Sequence, residues 1–235
     1  MNSWQAARQA AIGRHALRYD ANEVAQYRAI RGLGVLDRED QDVYLADMLA
    51  IGGVEAVLCA GHRVLDVGAG TGVMTKLFQR LPGLELHALE PSQGMYDALV
   101  RDPELQSVAC RLGGCDQASD CDTYAENSFH AIGARQVCNG LWDPLCAFRH
   151  WHRWLRPKGV MIVIEGTYGR DGWRGAWGEE VDVLPLASTQ SLATLPYLLE
   201  QVGFNVEHVD WMHATNRLEI TKTPRYLVVA RKPEG

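Results

Sequence analysis

The spacing of apolar positions along this chain changes character from one end to the other, and each change predicts a different kind of element. Over residues 4–51 the spacing is helical, with Val43, Leu45, Met48 and Leu49 among the apolar positions of the last segment. "LDREDQD" stands at the head of that segment and supplies the acids that favour a helix N-terminus. From His62 onward, short apolar runs alternate with amphipathic stretches. "HRVLDVG" reads as a strand, "GVMTKLFQRL" as a helix, "LELHALE" as a second strand and "SQGMYDALV" as its helix. "SVACRLGG" and "SFHAIGAR" read as the third and fourth strands, "PLCAFRHWHRWL" as a helix, and "GVMIVIEG" as a fifth strand, apolar enough to be covered on both faces. This rhythm predicts a parallel sheet wound on both sides by helices through right-handed crossovers.

The C-terminal part breaks the rhythm. After "YLLEQVGF" come "NVEHVDW" and "RYLVVARK" with no crossover helix between them, which predicts an antiparallel hairpin at the sheet edge. The expected fold is therefore α/β, a doubly wound, mostly parallel seven-stranded sheet ending in an antiparallel hairpin. A chain of 235 residues suits one domain over 1–235, with residues 1–60 as a helical cap. Residues 167–191 form a long connection, expected to act as a lid-like insertion.

Composition narrows the function. A net charge of −6 disfavours a nucleic-acid backbone as partner, and Arg149, Arg153 and Arg156 recur at helical spacing as a solvated face. Six cysteines show no Cys-x-x-Cys spacing, so reduced thiols are expected and no metal site. His150 and His152 are two residues apart on a predicted helix and point in different directions. His152 falls on the apolar stripe with Leu145, Phe148 and Leu155 and is expected to be a buried, satisfied histidine. The N-terminus lacks an apolar leader-like run and no stretch is long enough to span a bilayer, so a cytoplasmic, membrane-free protein is expected.

The chemistry concentrates in "LDVGAGTG". A glycine-rich turn between strand and helix lets a ligand press on backbone and offers it free N–H groups. Glu90, twenty residues beyond Gly70 at the end of the second strand, can accept both hydroxyls of a ribose. The glycines read G-x-G-x-G rather than the dinucleotide G-x-G-x-x-G, and Asp66 leads them. An acid there repels a pyrophosphate and suits the ammonium of a methionine-like group, which favours S-adenosylmethionine over a nicotinamide dinucleotide.

Four segments carry a family resemblance: "VLDVGAGTG" (64–72), "ALEPSQGM" (88–95), "ENSFHAIGARQVCNGLWDP" (126–144) and "WLRPKGVMIVIEG" (154–166). In these the chain resembles the class I S-adenosylmethionine-dependent methyltransferases, particularly the small-molecule subfamily that includes quinone-biosynthesis C-methyltransferases. The resemblance implies a Rossmann-like methyltransferase fold, S-adenosyl-L-methionine as cofactor and S-adenosyl-L-homocysteine as product. It implies that Asp66, Gly68, Ala69 and Gly70 line the methionine end, that Glu90 with Pro91 holds the ribose, and that Met95 packs on the adenine. The family's Gly-Asp-Ala motif is replaced by "GGCDQA", so contact with the adenine amine falls to Asp116 or to backbone near Cys115. Arg135 and Gln136 stand where cofactor and acceptor meet in the family. Asn139 and Gly140 replace two family histidines, whose role does not transfer.

Methyl transfer gains most from alignment and exclusion of water, and a positioned base adds to it when the acceptor must lose a proton. Tyr19, Tyr27 and Asn139 are the candidates for positioning the acceptor, with Tyr168 beside them; packing of an amphipathic ring is the plainer reading of each tyrosine. Trp173, Trp177, Glu179, Glu180 and Asp182 give the 167–191 segment π-faces and negative charge, which favours nitrogen slightly over oxygen or carbon as the methylated atom. The expected partner is a small-molecule acceptor, with the oligomeric state open. The alternative is a catalytically silent protein of the same fold that only binds. An amino-methyltransferase bearing an Asn/Asp-Pro-Pro-Tyr/Trp string is disfavoured by "NGLWDP".

Overall fold

A computed structural model describes residues 3–16, 20–51, 53–173, 178 and 180–234. Among them, seven strands form one sheet in the order β3-β2-β1-β4-β5-β7-β6. The parallel part comprises β1 (Arg63–Val67), β2 (Glu85–Glu90), β3 (Ala109–Leu112), β4 (Phe129–Arg135) and β5 (Leu155–Gly166). Strands β6 (Asn205–Trp211) and β7 (Arg225–Arg231) pair antiparallel, and β7 also pairs antiparallel with β5.

The doubly wound core follows from strand alternation. On one face Val64 packs with Leu77 and Phe78 of α5 (Val73–Gln79) and Met48 of α3 (Arg38–Leu49). On the other, Leu65 and Val67 pack with Phe148 and Trp151 of α7 (Pro144–Trp154) and Leu199 of α8 (Thr194–Gln201). Each side-chain reversal along β1 thus feeds a separate apolar layer. Helix α6 (Gln93–Arg101) follows β2, its N-cap Ser92 accepting from the Met95 N–H.

The final strands pair antiparallel as a hairpin at the sheet edge, as expected, with β6 outermost and β7 between it and β5. The reason is legible in composition: β7 is apolar over consecutive positions and buried from Arg225 to Ala230, whereas "NVEHVDW" alternates and stays largely exposed. The N-terminal stretch is helical in separate segments, α1 (Ser3–Ala16), α2 (Ala21–Ala29), α3 and α4 (Val54–Val57), and a tight turn with a bridge between Arg31 and Val35 joins α2 to α3. That turn reaches the C-terminal ends of β1 and β4. No helix among the described residues is long and apolar enough to cross a membrane.

Candidate active site

β1 ends at Val67, and the glycine turn after it delivers the chain to α5. Gly70 has φ +57°, and a Cβ built there meets no atom within 4 Å, so the turn opens one side onto free space. The Gly70 N–H donates to Glu90 Oε2 at 2.7 Å, and the Ser92 N–H donates to Oε1 at 2.8 Å. These two bonds fix the carboxylate at the end of β2, where it lines the cavity.

Asp66 is buried in β1 beneath the same turn. Its Oδ2 accepts from Thr75 Oγ1 at 2.5 Å, while Oδ1 has no partner among the described residues. Burial pushes its pKa up to about 7, the Thr75 hydrogen bond opposes that rise, and the nearby charge of Glu90 adds to it. A vacant carboxylate oxygen held in a dry site is a strong acceptor for a cation or donor.

Between these groups lies a cavity of about 120 Å³. Asp66, Glu90, Met95 and the turn from Gly68 through Ala69 and Gly70 to Thr71 form one wall. Tyr27 and Leu33 from the α2–α3 region, with Arg135 and Gln136 at the end of β4, form the other. The α2–α3 turn is strapped over the cavity. Arg135 donates from Nη2 to the Gly32 carbonyl at 2.6 Å and from Nη1 to the Leu33 carbonyl at 3.1 Å, and Thr71 Oγ1 donates to the Gly34 carbonyl at 3.0 Å. Gly34 is required by close approach, since a Cβ there would lie 2.2 Å from the Tyr27 carbonyl oxygen.

A second buried polar group adjoins the cavity at Gln136, whose own backbone is left-handed at φ +56°. Gln136 Nε2 donates to Tyr168 Oη at 2.9 Å, and Arg225 Nη1 donates to the same oxygen at 2.6 Å. Glu165, near the end of β5, accepts from the Cys138 N–H at 3.0 Å and the Gly166 N–H at 3.1 Å, with the Asn139 N–H also contributing. Burial raises its pKa to about 7.

A family model described as a methyltransferase domain matches residues 37–209, which include the glycine turn, Asp66, Glu90 and the end of β5. The chain belongs to this methyltransferase family. A curated relative, malonyl-[acyl-carrier protein] O-methyltransferase of Halorhodospira halophila, is 30% identical over 153 residues, 64% of this chain and 48% of its own length. The chain spans about half or less of the length of the curated relatives it matches. Among solved structures, Haemonchus contortus phosphoethanolamine N-methyltransferase 2 in complex with S-adenosyl-L-methionine shares the fold at a TM-score of 0.66. It is 17% identical, with 92% of this chain and 58% of that one covered. The [4+2]-cyclase SpnF shares the fold at a TM-score of 0.62 and 19% identity, over 100% of this chain and 97% of that one.

Of the residues named from sequence, Asp66, Gly68, Ala69, Gly70, Glu90, Met95, Arg135, Gln136 and Tyr27 line the cavity. Others named from sequence stand elsewhere. Pro91 is exposed beyond β2 and does not line the cavity. Cys115 is buried among apolar side chains with its carbonyl accepting from His150, and Asp116 is turned toward the Trp142 N–H at 2.7 Å. The residue after Cys115 therefore caps main chain rather than facing the cavity. Asn139 lies in a 3₁₀ turn (Cys138–Gly140) and turns its backbone N–H to Glu165. Tyr19, Trp177 and Glu179 lie outside the described residues. His152 is half-buried rather than fully satisfied: its ring packs edge-on to Phe204, and Nε2 lacks a partner among the described residues.

Within the 167–191 segment, Asp182 pairs with Arg170 at the surface, and Val181, Leu184 and Ala187 pack with Ala11 of α1 and with Trp142. Sequence reading missed Leu33, Val73 and Met74 in the cavity wall, along with Glu165 and Arg225. An acid ending an otherwise apolar strand and an arginine opening another were the available signals.

Proposed function

We propose that this protein transfers the methyl group of S-adenosyl-L-methionine to a small-molecule acceptor and releases S-adenosyl-L-homocysteine. The observation that carries this reading is the pair of carboxylates flanking the glycine turn: Asp66 with one vacant buried oxygen, and Glu90 pinned by two N–H groups at the end of the neighbouring strand. That pair suits a ligand with an ammonium at one end and a ribose diol further along, and Gly70 leaves its backbone open to it. When bound, the cofactor supplies a methyl group made electrophilic by its positively charged sulfur. Asp66 would take the ammonium, Glu90 the ribose hydroxyls, and buried Met95 the adenine face.

The strap from Arg135 and Thr71 to residues 32–34 supports a water-excluding role for the N-terminal cap. Tyr27 lines the cavity with a phenol whose pKa burial raises, so it serves as a hydrogen-bonding group that positions the acceptor rather than as a phenolate base. The acceptor atom is nitrogen, oxygen or carbon. The acids of the 167–191 segment that leaned toward nitrogen carry less weight, because Asp182 is engaged by Arg170 at the surface. The relatives include both an N- and an O-methyltransferase, in keeping with a fold that hosts many acceptors. Six free thiols accord with a cytoplasmic setting.

Incubating the protein with methyl-labelled S-adenosylmethionine and a metabolite extract, then resolving products by mass, tests this reading. A labelled small molecule is the expected result. Cofactor binding with label nowhere would favour the alternative of a silent binding protein.

A further inference from the structure

Behind Gln136 at the cavity wall, two buried arginines and a buried tyrosine keep polar atoms without partners among the described residues, as does Gln136 Oε1. Arg225 is buried at the start of β7, where Nη1 reaches Tyr168 Oη at 2.6 Å and Nε has no partner among the described residues. Arg135 is equally buried, spends its Nη groups on the Gly32 and Leu33 carbonyls, and also keeps an unpartnered Nε. Neither guanidinium forms an ion pair among the described residues. Glu165, the carboxylate that acts electrostatically on Arg225, is occupied by backbone N–H groups.

The tyrosines repeat the pattern. Tyr168 Oη already accepts two hydrogen bonds, from Gln136 and Arg225, which leaves its own O–H to donate. Burial pushes its pKa up to about 12, so that proton is retained at neutral pH. Tyr44 lies under Arg135, ring centroid 5.5 Å from the guanidinium carbon, and acts electrostatically on Arg225. Its fully buried hydroxyl has no partner among the described residues. Two cations therefore meet Tyr168, Tyr44 and Tyr27 with no carboxylate at ion-pair distance among the described residues; Asp66 and Glu165 act on them only electrostatically. A buried charge without a counter-ion is costly, and a ligand that supplies one recovers that cost. Gln136 joins this group to the cofactor cavity, because it lines the cavity and donates to Tyr168.

We infer that the acceptor carries a carboxylate or phosphate group and that Arg225 with Tyr168 is the handle that holds it, orienting the methylated atom across Gln136 toward the cofactor. This rests on the methyltransferase reading above. Charge-assisted hydrogen bonds from a fork-shaped guanidinium discriminate strongly between an anion and its neutral isostere.

The test is a calorimetric titration of the protein, with and without saturating S-adenosylhomocysteine, using benzoate, phenyl phosphate, benzamide and benzylamine as probes. One of the two anions should bind at least about tenfold tighter than benzamide, and which one does so distinguishes carboxylate from phosphate recognition. Arg225→Gln should abolish that preference while affinity for S-adenosylhomocysteine stays within about twofold. Arg225→Lys, which keeps the charge but loses the fork, should bind the anion more weakly and keep the order of preference; it also serves if the glutamine variant does not fold. Tyr168→Phe should reduce anion affinity without changing that of benzamide. Benzamide or benzylamine binding as tightly as the anions, no probe binding, or an unchanged anion preference in folded Arg225→Gln overturns the inference. Failure of S-adenosylhomocysteine to bind the wild-type protein instead overturns the methyltransferase reading, and the titrations without it still report on the anion handle.

Discussion

Asp66 and Glu165 are both strand carboxylates, both buried, and both pushed up to about 7 by loss of water. They differ in where their lone pairs go. Glu165 takes N–H groups from Cys138, Asn139 and Gly166, so it ties the end of β5 to the turn after β4. Asp66 takes only Thr75 and keeps Oδ1 vacant against the cavity. Equal burial and equal pKa direction thus say little about role, and a vacancy in the hydrogen-bond count separates a ligand group from a structural one.

The largest expected effect breaks the ligand side of this comparison. Asp66→Ala and Glu90→Ala should each weaken S-adenosylmethionine binding by about 1.5–3 kcal/mol, the range of a hydrogen bond to a charged group, read by calorimetry on folded protein. Wild-type affinity in both variants would remove the cofactor from this cradle. On the structural side, Glu165→Gln should lower unfolding free energy in urea by about 1–3 kcal/mol, because an amide nitrogen then faces N–H donors, and should leave cofactor affinity within about twofold.

The pH dependence sharpens the contrast. Both carboxyls have folded-state pKa values of about 7, above the roughly 4 of an unfolded chain, so the native state keeps their protons across that window while the unfolded state releases them. Their contribution to stability is therefore fully present below about pH 4 and is lost as pH rises through about 7. Asp66→Asn and Glu165→Gln should each flatten that slope in urea titrations. Cofactor affinity should run the other way, rising by up to about tenfold per unit between roughly pH 5.5 and 7 as Asp66 ionises to meet an ammonium. Only Asp66→Asn should remove this second trend; a binding profile flattened equally by Glu165→Gln would erase the distinction between the two acids. The smallest effect concerns Trp173, whose ring stands edge-on to Tyr168 at 6.0 Å. Trp173→Ala should raise the acceptor KM by about 2- to 10-fold and the cofactor KM less, in steady-state kinetics with the identified acceptor. Equal effects on both would make Trp173 a packing residue alone.

How much of this was legible in the sequence follows the same division. The cofactor side is local: residues 64–72 hold Asp66 and the glycine turn in one run, and Glu90 ends the next strand, so spacing alone brings them together. The strand–helix alternation gave the parallel core, because apolar periodicity is a local signal. The acceptor side is assembled from Tyr44, Gln136, Tyr168 and Arg225, which only the sheet order makes neighbours. β7 carries Arg225 to the site because it enters antiparallel beside β5, so that its first residue lies level with the end of β5, Arg225 opposite Gly166. Asp116 shows the limit of motif transfer. Its segment has the expected acid nearby, but the acid turns to the Trp142 main chain.

The central claim is that Asp66 and Glu90 together hold S-adenosylmethionine or its product, and a crystal structure of the protein with bound S-adenosylhomocysteine tests it most directly. The account predicts the ligand's ammonium on Asp66 Oδ1 and its ribose hydroxyls on Glu90. A ligand seated elsewhere, or one whose ammonium turns away from an Asp66 that still lacks a partner, would contradict it.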